Sequence, residues 1–142
     1  MPHTMPRIFI EPETHKQLKR IVSDAYNAKQ RIATFLDSEL RRAEVCETLP
    51  AHVVTPGCLV RYQLDWGPFS PVRKLVYPEN FICDDTQISL LSPIGVALLG
   101  MRRGDIMRVL IPNAGFTTLH VATVVYPEAD MKAFAHMEGH LQ

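Results

Sequence analysis

Ser92-Pro93-Ile94-Gly95-Val96-Ala97-Leu98-Leu99-Gly100 reads as a complete short helix with a signal at each end. The Ser92 hydroxyl suits an N-cap, where it accepts from one of the first free N–H groups. Pro93 suits the first helical position, because its missing N–H would have no partner there. Gly100 takes without strain the left-handed conformation that ends a helix. Downstream, Gly104-Asp105 turns the chain into a strand over Ile106–Ile111. Asn113-Ala114-Gly115 then turns it into a last strand from Phe116 to Tyr126.

Upstream, Cys58, Val60, Tyr62 and Leu64 alternate with Leu59, Arg61, Gln63 and Asp65, which is the period of a strand. Trp66-Gly67-Pro68 breaks it, with Trp66 as a half-exposed turn residue. A second strand spans Val72–Tyr77 and ends at Pro78; a third spans Gln87–Leu91. The order β-β-β-α-β-β describes a small α+β domain over residues 51–127, its sheet packed on one short helix. Residues 128–142 lose the alternation and read as a tail.

Residues 1–50 have a different, helical period. Leu18, Ile21, Val22, Ala25 and Tyr26 form one apolar stripe, and Ile32, Phe35, Leu36, Leu40 and Ala43 form another. Pro12 suits a first helical turn, and Glu11 and Glu13 complement the positive end of that helix. The polar link Ser23–Lys29 contains Asn27, which tolerates a left-handed turn. Together these describe a short, coiled-coil-like antiparallel helical hairpin whose tip carries Asp24, Tyr26 and Asn27. It is expected to stand clear of the domain as a stubby rod.

The charges balance, 15 basic against 15 acidic, which argues against a protein that coats nucleic acid by neutralising phosphates. No direct sequence-specific nucleic-acid binding is expected. The hairpin cations Lys16, Lys19, Arg20, Arg31, Arg41 and Arg42 fall at helical spacing and read first as solvated faces. No apolar run approaches the roughly 20 residues of a membrane helix, and the first residues lack the apolar core of a secretory signal. A cytoplasmic protein is the expectation. Cys46, Cys58 and Cys83 are odd in number and widely spaced, which suits free thiols rather than a disulfide framework or a zinc site.

The run from Ser92-Pro93-Ile94-Gly95 through Ala97-Leu98-Leu99-Gly100 to Gly104-Asp105 resembles the signature of the Gre-type C-terminal domain, an FKBP-like fold found in bacterial transcript-cleavage factors. Leu75-Val76-Tyr77-Pro78, Glu39-Leu40 with Arg42-Ala43, and Val53-Val54-Thr55 resemble more closely a short-armed branch, the Rnk regulators of nucleoside diphosphate kinase. The resemblance runs from Ile8 to Tyr126. It implies binding to bacterial RNA polymerase at the rim of its secondary channel, in competition with Gre-type factors, with a role in regulating nucleoside diphosphate kinase. It further implies that the grip lies in the loop Leu91, Ser92 and Pro93. Gre factors usually carry an acidic residue before the Ser-Pro pair, where this chain has Leu91. Arg102 and Arg103, on the turn after the short helix, are further candidates for the docking surface.

Chemical readings are less well supplied. Gre-type transcript cleavage needs two carboxylates at the arm tip to hold a magnesium ion, and one isolated carboxylate holds it poorly. The tip has Asp24 followed by Lys29 and Arg31, while Asp37, Glu39 and Glu44 lie toward the base. His136 and His140 share a helical spacing, but Gly139 interrupts it and no third ligand is near in sequence. There is no phosphate loop and no nucleophile elbow. Prolyl isomerisation would need an aromatic pocket built from residues such as Trp66, Phe69, Phe81 and Phe116, and fold alone does not supply that function. No enzyme activity, cofactor or metal is expected. The alternatives kept open are a transcript-cleavage factor and a general interaction domain with another partner.

Overall fold

The computed structural model describes residues 5–82, 84–112 and 114–127. Two helices come first, α1 (Pro12–Asn27) and α2 (Ile32–Arg42). They are flanked by two short strands, β1 (Phe9–Ile10) and β2 (Glu44–Val45), which pair in parallel. This small sheet was not foreseen in the sequence. Then follow β3 (Leu59–Leu64), β4 (Arg73–Val76), β5 (Gln87–Ser89), α3 (Pro93–Leu98), β6 (Ile106–Ile111) and β7 (Gly115–Val125). The five long-range strands form one sheet in the order β5-β4-β3-β7-β6, parallel only between β4 and β5. The result is a mixed α+β architecture.

In α1, Pro12 occupies the first turn, and Leu18, Val22 and Ala25 are buried. Tyr26 belongs to the expected stripe by spacing, yet it is 47% exposed. The helix runs through Asn27, and it is Lys29, with φ 58°, that takes the left-handed turn. The link between helices is therefore 28–31, later than expected. His15 Nε2, near the start of α1, lies 2.9 Å from the Leu40 carbonyl near the end of α2. The two helices thus run antiparallel.

The sheet alternates as a half-buried sheet should. Val60, Tyr62, Leu75, Ile88, Met107, Val109, Leu119 and Val121 are buried and share one hydrophobic cluster with Val96, Ala97, Leu98 and Leu99. Ile8, Ile10, Leu18, Val22, Leu36 and Leu40 belong to that same cluster. The hairpin is therefore folded against the domain and does not stand clear as a rod. The buried stripes of α1 and α2 thus share one core with α3 and the inner face of the sheet.

Two close approaches set this arrangement. A Cβ on Gly95 would lie 2.0 Å from the Ser89 carbonyl oxygen, so α3 starts hard against the end of β5. Gly100, with φ +80°, ends α3 in the left-handed region, and a Cβ there would lie 2.9 Å from Ile8 Cβ. Its carbonyl accepts from Phe9 N–H at 3.0 Å, and its own N–H donates to Val54 O at 2.9 Å.

Gly95→Ala and Gly100→Ala are each expected to destabilise the fold by at least the ~1–3 kcal/mol usual for overpacking, because backbone must move in both. Urea unfolding followed by circular dichroism reads this out; midpoints within error of the parent would contradict the packing described.

Candidate functional site

The loop between β5 and α3 is tied down by its own serines. The Ser92 hydroxyl donates to Ser89 O at 2.7 Å and accepts from Gly95 N–H at 3.0 Å, so it caps α3 as expected. The Ser89 hydroxyl accepts from Leu91 N–H at 3.1 Å. With the Ser92 hydroxyl both donating and accepting within the loop, the loop offers its surroundings the half-buried side chains of Leu91 and Pro93. What Ser92 contributes is shape.

Leu91 stands where several clefts meet. One, about 330 Å³, lies between Ile21, Asp24 and Ala28 of the hairpin and Pro78-Glu79 of the domain. A larger one, about 490 Å³ and mainly apolar, is lined by Ile32 and Phe35 of α2, by Leu91 and Pro93, and by Val109 and Leu110 of β6. Arg31 and Arg108 line it too. A third opens from Leu91 toward Tyr62, Arg73 and Phe81, where Arg73 Nη1 donates to the Tyr62 hydroxyl at 2.8 Å.

Of the other candidates, Asp24 borders the first of these clefts, while Arg102 and Arg103 lie apart from the loop. Asp24, Tyr26 and Asn27 are exposed on the last turn of α1. Arg102 and Arg103 sit beyond the opposite end of α3 from Leu91. Arg102 is half-buried: its backbone N–H donates to Asp105 Oδ2 at 2.9 Å, and its guanidinium lies over the Phe9 ring, 5.3 Å from its centre. Arg103 alone of the two is exposed. Arg102 thus braces β1 instead of forming one surface with Leu91.

A family model described as "Transcription elongation factor, GreA/GreB, C-term" matches residues 49–126. This chain belongs to the GreA/GreB family. A relative named "Regulator of nucleoside diphosphate kinase", of Escherichia coli K12, is 35% identical over 127 residues, covering 87% of this chain and 93% of the relative. "Transcription elongation factor GreA" of Thermosipho africanus is 32% identical over 97 residues, covering 66% of this chain and 62% of that factor. Among solved structures, a GreA/GreB elongation factor from Nitrosomonas europaea superposes with a TM-score of 0.67 at 28% identity, over 84% of this chain and all of that one.

Within this Gre-family chain one feature of the hairpin base was not expected from the sequence. Glu39 is 2% exposed, and its Oε2 accepts from Arg42 Nε. Arg42 also donates to Pro6 O at 2.5 Å and contacts Met107 Sδ at 3.4 Å. The pair therefore joins the hairpin to the chain start and to β6. Burial raises the Glu39 carboxyl above the ordinary range, against the opposing pull of Arg42. The readable signal was its place: Glu39 falls on the apolar stripe, three residues after Leu36 and three before Arg42. Among the described residues no cluster of His, Cys, Asp or Glu could hold a metal ion, and no helix is long and apolar enough to cross a membrane. Cys46 and Cys58 are free; burial pushes the Cys58 thiol up to about 11, which leaves it protonated and inert. Cys83, His136 and His140 lie outside the described residues.

Ser92→Ala is expected to cost about 1 kcal/mol, the ordinary value of a lost N-cap, measured by urea unfolding. For Glu39 the folded state holds a proton more tightly than the unfolded chain. Its contribution is full below the unfolded value of about 4.5 and declines as pH rises through the raised folded value. Glu39→Gln should therefore gain stability relative to the parent between pH 4 and pH 7; a gap that is flat or falls over that range would count against the desolvated carboxylate.

Proposed function

We propose that this chain is a non-catalytic transcription regulator that binds bacterial RNA polymerase at the rim of the secondary channel. It would compete there with Gre-type factors and take part in regulating nucleoside diphosphate kinase, acting in the cytoplasm. Residues 51–127 act as an FKBP-like docking domain, with 1–50 as a short arm. The observation that carries this reading is the Leu91–Pro93 loop, held in one shape by the Ser89–Ser92–Gly95 hydrogen bonds and presenting apolar side chains. A surface that is ordered before binding loses less conformational entropy when it docks.

Family membership supports polymerase as the partner, since the relatives include a named transcription elongation factor. The loop supplies the grip through Leu91 and Pro93, with Ser92 as its support. Arg103 is exposed and serves the charged periphery, while Arg102 contributes indirectly by bracing β1. The arm carries a single carboxylate near its tip, Asp24, beside Lys29 and Arg31. A magnesium-dependent cleavage role needs more oxygen ligands than this. Packed on its domain, the arm covers the entrance rather than reaching toward the catalytic centre.

Core polymerase is expected to be retained by the immobilised parent chain. Retention should fall at least tenfold with Leu91→Asp, and also with the pair Ser92→Ala and Pro93→Ala, circular dichroism serving as the folding control. In a backtracked-complex assay the chain should not stimulate transcript cleavage and should reduce the stimulation given by a Gre factor. Stimulated cleavage would transfer the chain to the cleavage class; absence of retention would point to a partner other than polymerase.

A further inference from the structure

Strand β6 ends the sheet, and among the described residues no strand pairs with its outer side. On the far side of β7, Thr118 spends both backbone groups on Asp65: its carbonyl accepts from Asp65 N–H at 2.8 Å, and its N–H donates to Asp65 Oδ1 at 2.8 Å. Thr118 is the partner of Arg108 in register. The alternation of an antiparallel ladder then directs the N–H and C=O groups of Met107 and Val109 toward β7, and those of Ile106, Arg108 and Leu110 away from the sheet. Among the described residues none of these three N–H groups makes a hydrogen bond.

Edges of this kind are ordinarily blunted by lysine, proline or a bulge. Within Ile106–Ile111 the single charge is Arg108, and the side chains of Ile106 and Leu110 are 45% and 61% exposed. The 490 Å³ apolar cleft runs along the same strand on the inner side, between Phe35, Leu91 and Val109. Charge at this place has one sign. Arg31 and Arg108 border the cleft, and its one acid, Glu39, is buried against Arg42.

We propose that β6 accepts an extended segment of a partner protein as a sixth strand, mainly apolar and with an acidic residue at its centre. Alternate side chains of the segment enter the cleft, and the others meet Ile106, Arg108 and Leu110 in turn, so that the acid lies beside Arg108. Main-chain hydrogen bonds hold the segment and the side chains select it. A second copy of this chain fits less well, because two antiparallel β6 strands bring Arg108 toward its own equivalent, and like charges across strands repel.

The probe is a fluorescein-labelled peptide, Thr-Val-Val-Glu-Val-Val-Thr, titrated with the full chain and read by fluorescence anisotropy. Saturable binding is expected. It should weaken at least tenfold with a central Lys in place of Glu and with Arg108→Glu, and be lost when the edge-facing amides of the peptide are N-methylated. Arg108→Pro, which removes one outward N–H, should likewise abolish binding if its circular dichroism matches the parent. The methylated peptide tests the edge without altering the protein. No saturation by the parent peptide, or equal binding of its methylated form, overturns the proposal. A concentration-dependent dimer in sedimentation that Arg108→Pro dissolves assigns the edge to a second copy and overturns it as well. None of these readouts involves polymerase.

Discussion

The contact between the Ile8–Ile10 segment and Gly100 decides where the hairpin lies. Only a residue without a side chain lets β1 approach the exit of α3 this closely, and the same residue must adopt the left-handed turn that ends the helix. From that contact the chain passes directly into α1, and it returns through β2 to pair with β1. Both ends of the hairpin are thereby fixed to the domain. The Arg7–Glu44 ion pair across β1 and β2 is exposed and adds little. The fully buried Ile8, Leu18 and Leu36 count for more, at about 1.5–3 kcal/mol each when taken from water.

This attachment changes how the arm must be regarded. A rod on a flexible joint could sample many directions; a hairpin whose apolar stripes complete the domain core has one. The Glu39–Arg42 pair strengthens that constraint. Removing one member of a buried pair leaves the other unpaired, at a cost well above that of an exposed pair. The loop at Leu91 thus touches elements that come from both halves of the chain, and its surroundings depend on the hairpin remaining in place.

Much of the fold was legible, because its signals were local. Ser92, Pro93 and Gly100 each perform the conformational task their chemistry suggested, and the alternation from Leu59 to Leu64 and from Ile106 to Ile111 falls on strands. What escaped reading was non-local. β1 and β2 have two residues each, too few for any period, and pair only because α1 and α2 bring them together. The packing of the hairpin depends on surfaces far apart in the chain, which an amphipathic stripe announces without naming the partner. The site was legible as a loop. That Arg102 faces Phe9 and Asp105 follows from the path of β1, which nothing near Arg102 in sequence reveals.

The turn after β3 places Asp65 and Trp66 in the left-handed region, with φ 51° and 60°, and stacks the indole against His120 at 5.0 Å between ring centres. Trp66 is the chain's one tryptophan. His120 extends from β7 opposite Gln63 and Ile106, on the sheet face turned away from α3 and the hairpin. Tryptophan emission, excited selectively at the red edge where tyrosine does not absorb, is therefore a one-sided optical gauge. It responds to the imidazole beside it and to whatever covers that outer surface, and it stays silent about rearrangements of the helices behind.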